Sequence, residues 1–155
     1  MTRKSIPMPR ISVSQNYVQE YYTDSHGADP DAHRRALSVL LDLASKHQRE
    51  CAIAVGIRTV IGPNSVLDNV LPEGAAGSLS RGAVQLNEIM VHLITKRITP
   101  TKFGRGPVLA LYVDPKHLGS FFEEGRITEL IYVPWTDAQR ERFLSSRPEA
   151  KAIYP

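Results

Sequence analysis

Val108-Leu-Ala-Leu-Tyr-Val-Asp-Pro115 and Ile127-Thr-Glu-Leu-Ile-Tyr-Val-Pro-Trp-Thr-Asp137 decide the fold of this chain, because in each an apolar run gives way within three residues to a proline and a capping residue. Continuous apolar runs of this length suit strands covered on both faces, and a helix-like segment after each run is how parallel strands are joined. Asp114 and Thr136 are the residue types that open helices, since a side-chain oxygen accepts an orphan backbone N–H there. The first of these helices carries Leu118, Phe121 and Phe122 and ends at Gly125; the second runs to about Ser145.

Working outward, Cys51-Ala-Ile-Ala-Val55 is a third apolar run and reads as a central strand. It follows the most regular helical pattern in the chain, from about 30 to 48. There Ala36, Leu37, Leu40, Leu41, Leu43 and Ala44 recur at three and four residues behind the Asp29-Pro30 start. Asn64 or Ser65 caps a short helix bearing Val66, Leu67, Val70 and Leu71, and residues 74–82 read as a turn region or a poorly packed helix. Between 84 and 97 a strand at about 90–97 competes with an amphipathic helix at 84–95, and the β-branched content favours the strand. Residues 1–28 show no sustained period and read as an N-terminal arm with a short helix near Tyr17–Tyr22, leaving 29–155 as the folded domain. The expected fold is therefore α/β, a small open three-layer sandwich with a mostly parallel, Rossmann-like sheet.

Composition bounds the function classes. A chain of 155 residues with 42% hydrophobic and 23% charged residues is one globular domain with one core. No window reaches the ~18 consecutive apolar residues of a membrane span and the first residues lack a signal-peptide core, so a cytoplasmic protein with no membrane partner is expected. The single cysteine, Cys51, reads as a buried thiol.

Charge is more telling in its distribution than in its total of +3. Lys96, Arg97, Lys102 and Arg105 stand together with no acid between them, interleaved with Phe103. Cations with a stacking ring suit phosphate groups, so a phosphate-bearing ligand or nucleic acid is the first expected partner, with Trp135 as a second ring. Trp135 equally serves to cover the end of the core. No phosphate-binding glycine loop is present: Gly56-Ile-Arg-Thr-Val-Ile-Gly62 has neither the GxGxxG spacing nor a Gly-Lys-Ser/Thr ending.

A small hydrolase or nuclease-like enzyme with its site at the carboxyl ends of the strands is the alternative, with His92, Asp114 and Lys116 as candidate catalytic residues. Each has a plainer reading: His92 sits in an apolar run, Asp114 is a cap and Lys116 a solvated first-turn residue. The histidines and aspartates between Asp24 and His33 match no metal template, so neither metal nor cofactor is expected. A third reading is an interaction subunit or homo-oligomer that packs through Tyr17, Tyr21 and Tyr22.

Overall fold

The computed structural model describes residues 18–25, 27–46, 49–56, 58–95, 103–118 and 126–154. Strand β1 (Gln19–Thr23) leads to helix α1 (Pro30–Ala44) and strand β2 (Glu50–Val55). A 3-10 turn at Arg58–Ile61 precedes helices α2 (Val66–Val70) and α3 (Ala75–Ser80), then a hairpin of β3 (Ala83–Leu86) and β4 (Ile89–Ile94). Strand β5 (Gly106–Leu111), a 3-10 turn at Pro115–His117, strand β6 (Ile127–Val133), helix α4 (Asp137–Ser146) and strand β7 (Lys151–Ile153) complete it.

These form one open seven-stranded sheet in the order β3-β4-β2-β5-β6-β1-β7. Only the β3–β4 pair is antiparallel. Alternation along the central strands assigns the two faces. Cys51, Ile53, Val55, Leu109, Leu111, Ile131 and Val133 point to the face covered by α1, α2 and α3. Ala52, Ala54, Val108, Ala110, Leu130 and Tyr132 point to the other, covered by α4 through Phe143. The small alanines on that second face leave room for rings: Tyr132 and Phe143 stack with centroids 4.5 Å apart, and the Arg147 guanidinium lies 5.0 Å from the Phe143 centroid.

Close packing sets one glycine. A Cβ on Gly106 would stand 2.2 Å from the Glu50 carbonyl oxygen, so only glycine lets β5 begin that close to β2.

Several sequence expectations change. Residues 19–23 are not a helix in an arm but a strand between β6 and β7, with Tyr21 and Tyr22 half-buried on opposite faces of the sheet. They therefore share no docking surface; Tyr17 lies outside the described residues. Helix α1 stops at Ala44, with Ser45 as its C-terminal cap, short of 48. The strand favoured at 90–97 is present as β4 (Ile89–Ile94), paired with β3 (Ala83–Leu86) in a hairpin, which excludes the helix at 84–95, and residues 75–80 form a helix that buries Ala75, Ala76 and Leu79. The segment after Asp114 opens with a 3-10 turn over Pro115–His117 and is helical at Leu118, the last described residue there, and the end of the chain adds an edge strand. Phe121, Phe122 and Gly125 lie outside the described residues. Cys51 is fully buried, and its thiol is pushed up to about 12, mainly by burial and further by the Glu50 carboxylate. No helix among the described residues is long and apolar enough to cross a membrane.

Candidate functional site

The chain leaves β2 toward the α2–α3 face and leaves its neighbour β5 toward the opposite face, so the connections part at the carboxyl ends of these strands. A crevice at such a point is where ligands settle in open parallel sheets, because no crossover covers it. A cleft of about 440 Å³ lies there. It is lined by Val60, Asn64, Ser65 and Val66 after β2, Tyr112 after β5, and Trp135 and Gln139 after β6.

Tyr112 organises the cleft. Its backbone is left-handed, at φ 61°, which an aromatic residue adopts only when held. Three tethers hold it. Its N–H donates to the Val133 carbonyl at 2.9 Å, its carbonyl accepts from Gln139 Nε2 at 3.0 Å, and its hydroxyl is hydrogen-bonded to His33 Nε2. His33, 1% exposed on α1, places its other ring nitrogen 2.8 Å from the Asp29 carbonyl. A carbonyl only accepts, so Nδ1 carries the proton, and in the neutral ring Nε2 is left to accept from Tyr112.

Trp135 packs beside Tyr112, with ring centroids 4.8 Å apart and planes at 60°, and stays 44% exposed. The pair makes an aromatic corner, one wall open to solvent. Gln139 fixes the backbone of both members, since its Oε1 accepts from the Trp135 main-chain N–H at 2.8 Å while its amide nitrogen donates to the Tyr112 carbonyl. Opposite, Ser65 caps α2 by accepting from the Asp68 N–H at 3.1 Å, and the Asn64 N–H donates to Asp68 Oδ2 at 3.0 Å. The loop after β1 closes the rim: the Gly27 N–H donates to the Pro134 carbonyl at 3.3 Å, and Arg140 Nη1 to the Asp24 carbonyl at 2.5 Å.

The cleft is electrically neutral in its lining. Burial pushes the Tyr112 hydroxyl up to about 12, and burial lowers the His33 imidazole, more strongly than the Asp29 carbonyl and carboxylate raise it. Among the described residues no three metal-ligating side chains converge.

The candidate residues read from the sequence are dispersed. Trp135 is in the cleft. Phe103 is 2% exposed at the other end of the sheet, between His92 (5.6 Å between centroids) and the Arg126 guanidinium (5.2 Å). Its ring is a core ring, which corrects the expectation that it stacks on a ligand. Arg105 is exposed at the amino end of β5, beside Gly104, whose N–H donates to Glu50 Oε1 at 3.1 Å. Lys96, Arg97 and Lys102 lie outside the described residues; of the described residues on either side, Thr95 follows the carboxyl end of β4 and Phe103 precedes the amino end of β5.

The candidate catalytic residues are not brought together. His92 is buried in β4 with Nε2 3.6 Å from Glu50 Oε1. Asp114 lies beyond the end of β5, two strands away, which is roughly 10 Å across the sheet before any offset along it. Its carboxyl accepts from the Lys116 N–H at 3.1 Å and lies 3.8 Å from the Arg142 guanidinium; that N–H, and then the Arg142 charge, hold it below its ordinary value. The Lys116 side chain is exposed. Cys51 and Ser65 belong to the face opposite His92, so neither pairs with it.

His33, Tyr112, Gln139 and Asn64 were not read from the sequence as residues of a ligand site. One signal was available: Thr136-Asp-Ala-Gln139 has capping-box spacing, which marks Gln139 as a residue that reaches back past its helix start. No protein-family model, curated protein or solved structure matches this chain.

Proposed function

We propose that this protein is a binding domain for a planar, uncharged heteroaromatic ligand of nucleobase or nucleoside type, held in the crevice at the carboxyl ends of β2, β5 and β6. One observation carries the reading: Trp135, 44% exposed, is fixed against Tyr112 at the edge of a cleft of about 440 Å³. That volume is within the range of small-molecule sites, about 300–1,000 Å³. A base lying on the indole meets the Tyr112 ring at its edge, while the hydroxyl and amide groups of Ser65, Asn64 and Gln139 face its polar perimeter. In this proposal the fold is Rossmann-like in use, its ligand lying across a switch point of the sheet, and the protein acts in the cytoplasm.

A phosphate surface made of Lys96, Arg97, Lys102 and Arg105 has less support, because Thr95 and Phe103, the described residues on either side of the first three, stand at opposite ends of the sheet and Phe103 is buried. An enzyme using His92, Asp114 and Lys116 has less again, given their separation.

Trp135 is the single tryptophan, so its emission reads the crevice directly. Titration with adenosine, inosine and uridine is expected to give saturable quenching that ribose does not. By calorimetry Trp135→Ala weakens binding about ten-fold or more, in line with the worth of one base–aromatic stack. Absence of quenching by every nucleoside, or unchanged affinity in the folded variant, would overturn the proposal.

A further inference from the structure

We infer that Tyr112 presents the crevice with a hydrogen-bond acceptor only, its proton being committed to His33, and that the site therefore selects planar rings carrying an N–H donor over those without one. This rests on the binding proposal above and names the ligand chemistry of the same site.

The inference follows from donors and acceptors counted along one chain of contacts. The Asp29 carbonyl has lone pairs alone, so the His33 nitrogen 2.8 Å from it is the protonated one. His33 is 1% exposed and neutral, hence its other nitrogen accepts, and the single hydroxyl proton of Tyr112 points at it. A phenol has one proton and an oxygen that also accepts. With the proton directed into the protein, the remaining oxygen lone pair is all the hydroxyl can offer a ligand.

The geometry is kept in place by more than that bond. Tyr112 cannot rotate its backbone to turn the ring away without breaking the bonds to Val133 and Gln139, and Trp135 closes one side of the ring. Ser65 supplies the complement. Its oxygen accepts from the Asp68 N–H, which leaves the hydroxyl proton free to donate to a ring carbonyl. An acceptor and a donor across one cleft suit a ring in which an N–H adjoins a carbonyl, the lactam pattern of hypoxanthine and uracil.

The test is calorimetric titration of the full chain with two matched pairs, inosine against 1-methylinosine and uridine against 3-methyluridine, repeated with Tyr112→Phe. Methylation removes the donor, and the Phe variant removes the acceptor while keeping the ring. Near-UV circular dichroism checks that the variant retains its packed core. The expected result is that each N–H nucleoside binds about ten-fold more tightly than its methylated partner, the worth of one well-made hydrogen bond, and that Tyr112→Phe abolishes the difference. Equal affinities within both pairs would overturn the inference and leave the crevice proposal standing. Discrimination that persists in folded Tyr112→Phe would overturn it too, since bulk and not the hydroxyl would then be the cause. Failure of all four nucleosides to bind would overturn the crevice proposal and this inference with it.

Discussion

Tyr112 spends stability to stand where it does. A left-handed backbone costs a residue with a side chain about 1–2 kcal/mol, and its three hydrogen bonds offset that cost. Strain of this kind persists where surrounding structure over-determines it, and here it aims a ring into a cleft. His33 ties that ring to the pH. Its folded value lies below the ordinary 6.5 because burial disfavours the cation. The unfolded chain therefore takes up the proton first: stability is complete above about pH 6.5 and declines as the pH falls below it, until the folded imidazole protonates in turn. Thermal melting from about pH 8 to about pH 5 is expected to show a steeper acid-side loss in the native chain than in His33→Gln, which has no such titration. Parallel curves would contradict a buried neutral His33. None of this was legible locally: the hydroxyl bond joins residues 79 apart in sequence, and the run Val108–Val113 reads straight through Tyr112 as strand.

At the level of elements, what could be read depended on where burial comes from. Strands β2, β5 and β6 are covered on both faces and need apolar side chains at nearly every position, so each announces itself as a run. Gln19-Glu-Tyr-Tyr-Thr23 carries no such run; it becomes a strand because β6 and β7 flank it, and partners over 100 residues away leave no local period. Lys151–Ile153 is a three-residue edge strand, too short for any pattern. The hairpin was half legible, since β4 is rich in strand formers while the reversal falls on Asn87-Glu88, not on a familiar Asn-Gly. Both turn residues have left-handed backbones, φ 49° and 68°. Glu88→Gly is expected to stabilise the fold by about 0.5–1 kcal/mol through relief at that position. The ion pair it removes, Arg49–Glu88 at 2.5 Å, joins side chains 60% and 76% exposed and contributes little. Denaturant unfolding checks this; a fall in midpoint would mean that the ion pair outweighs the backbone strain.

Over the whole molecule, connectivity decides where a ligand has room. Helices α1, α2 and α3 cover one face and α4 the other, so the chain departs in opposite directions from β2 and β5, and again from β6 and β1. The aromatic corner stands at those carboxyl ends, whereas Arg105 and Phe103 lie at the amino end. Trp135 was legible as a strand-end aromatic, but its ring partner Tyr112 follows β5 and is itself held by His33 of α1 and Gln139 of α4, and only the assembled sheet brings them together. A ligand in the crevice and a ligand at Phe103, Gly104 and Arg105 would therefore touch opposite ends of the sheet. Backbone amide shifts recorded in a two-dimensional ¹H–¹⁵N spectrum during titration with inosine separate the two. The crevice account predicts saturable shifts at Asn64, Ser65, Tyr112, Trp135 and Gln139, with Gly104 and Arg105 unmoved. Shifts confined to Gly104, Arg105 and their neighbours, or none at any residue of the crevice, would contradict it.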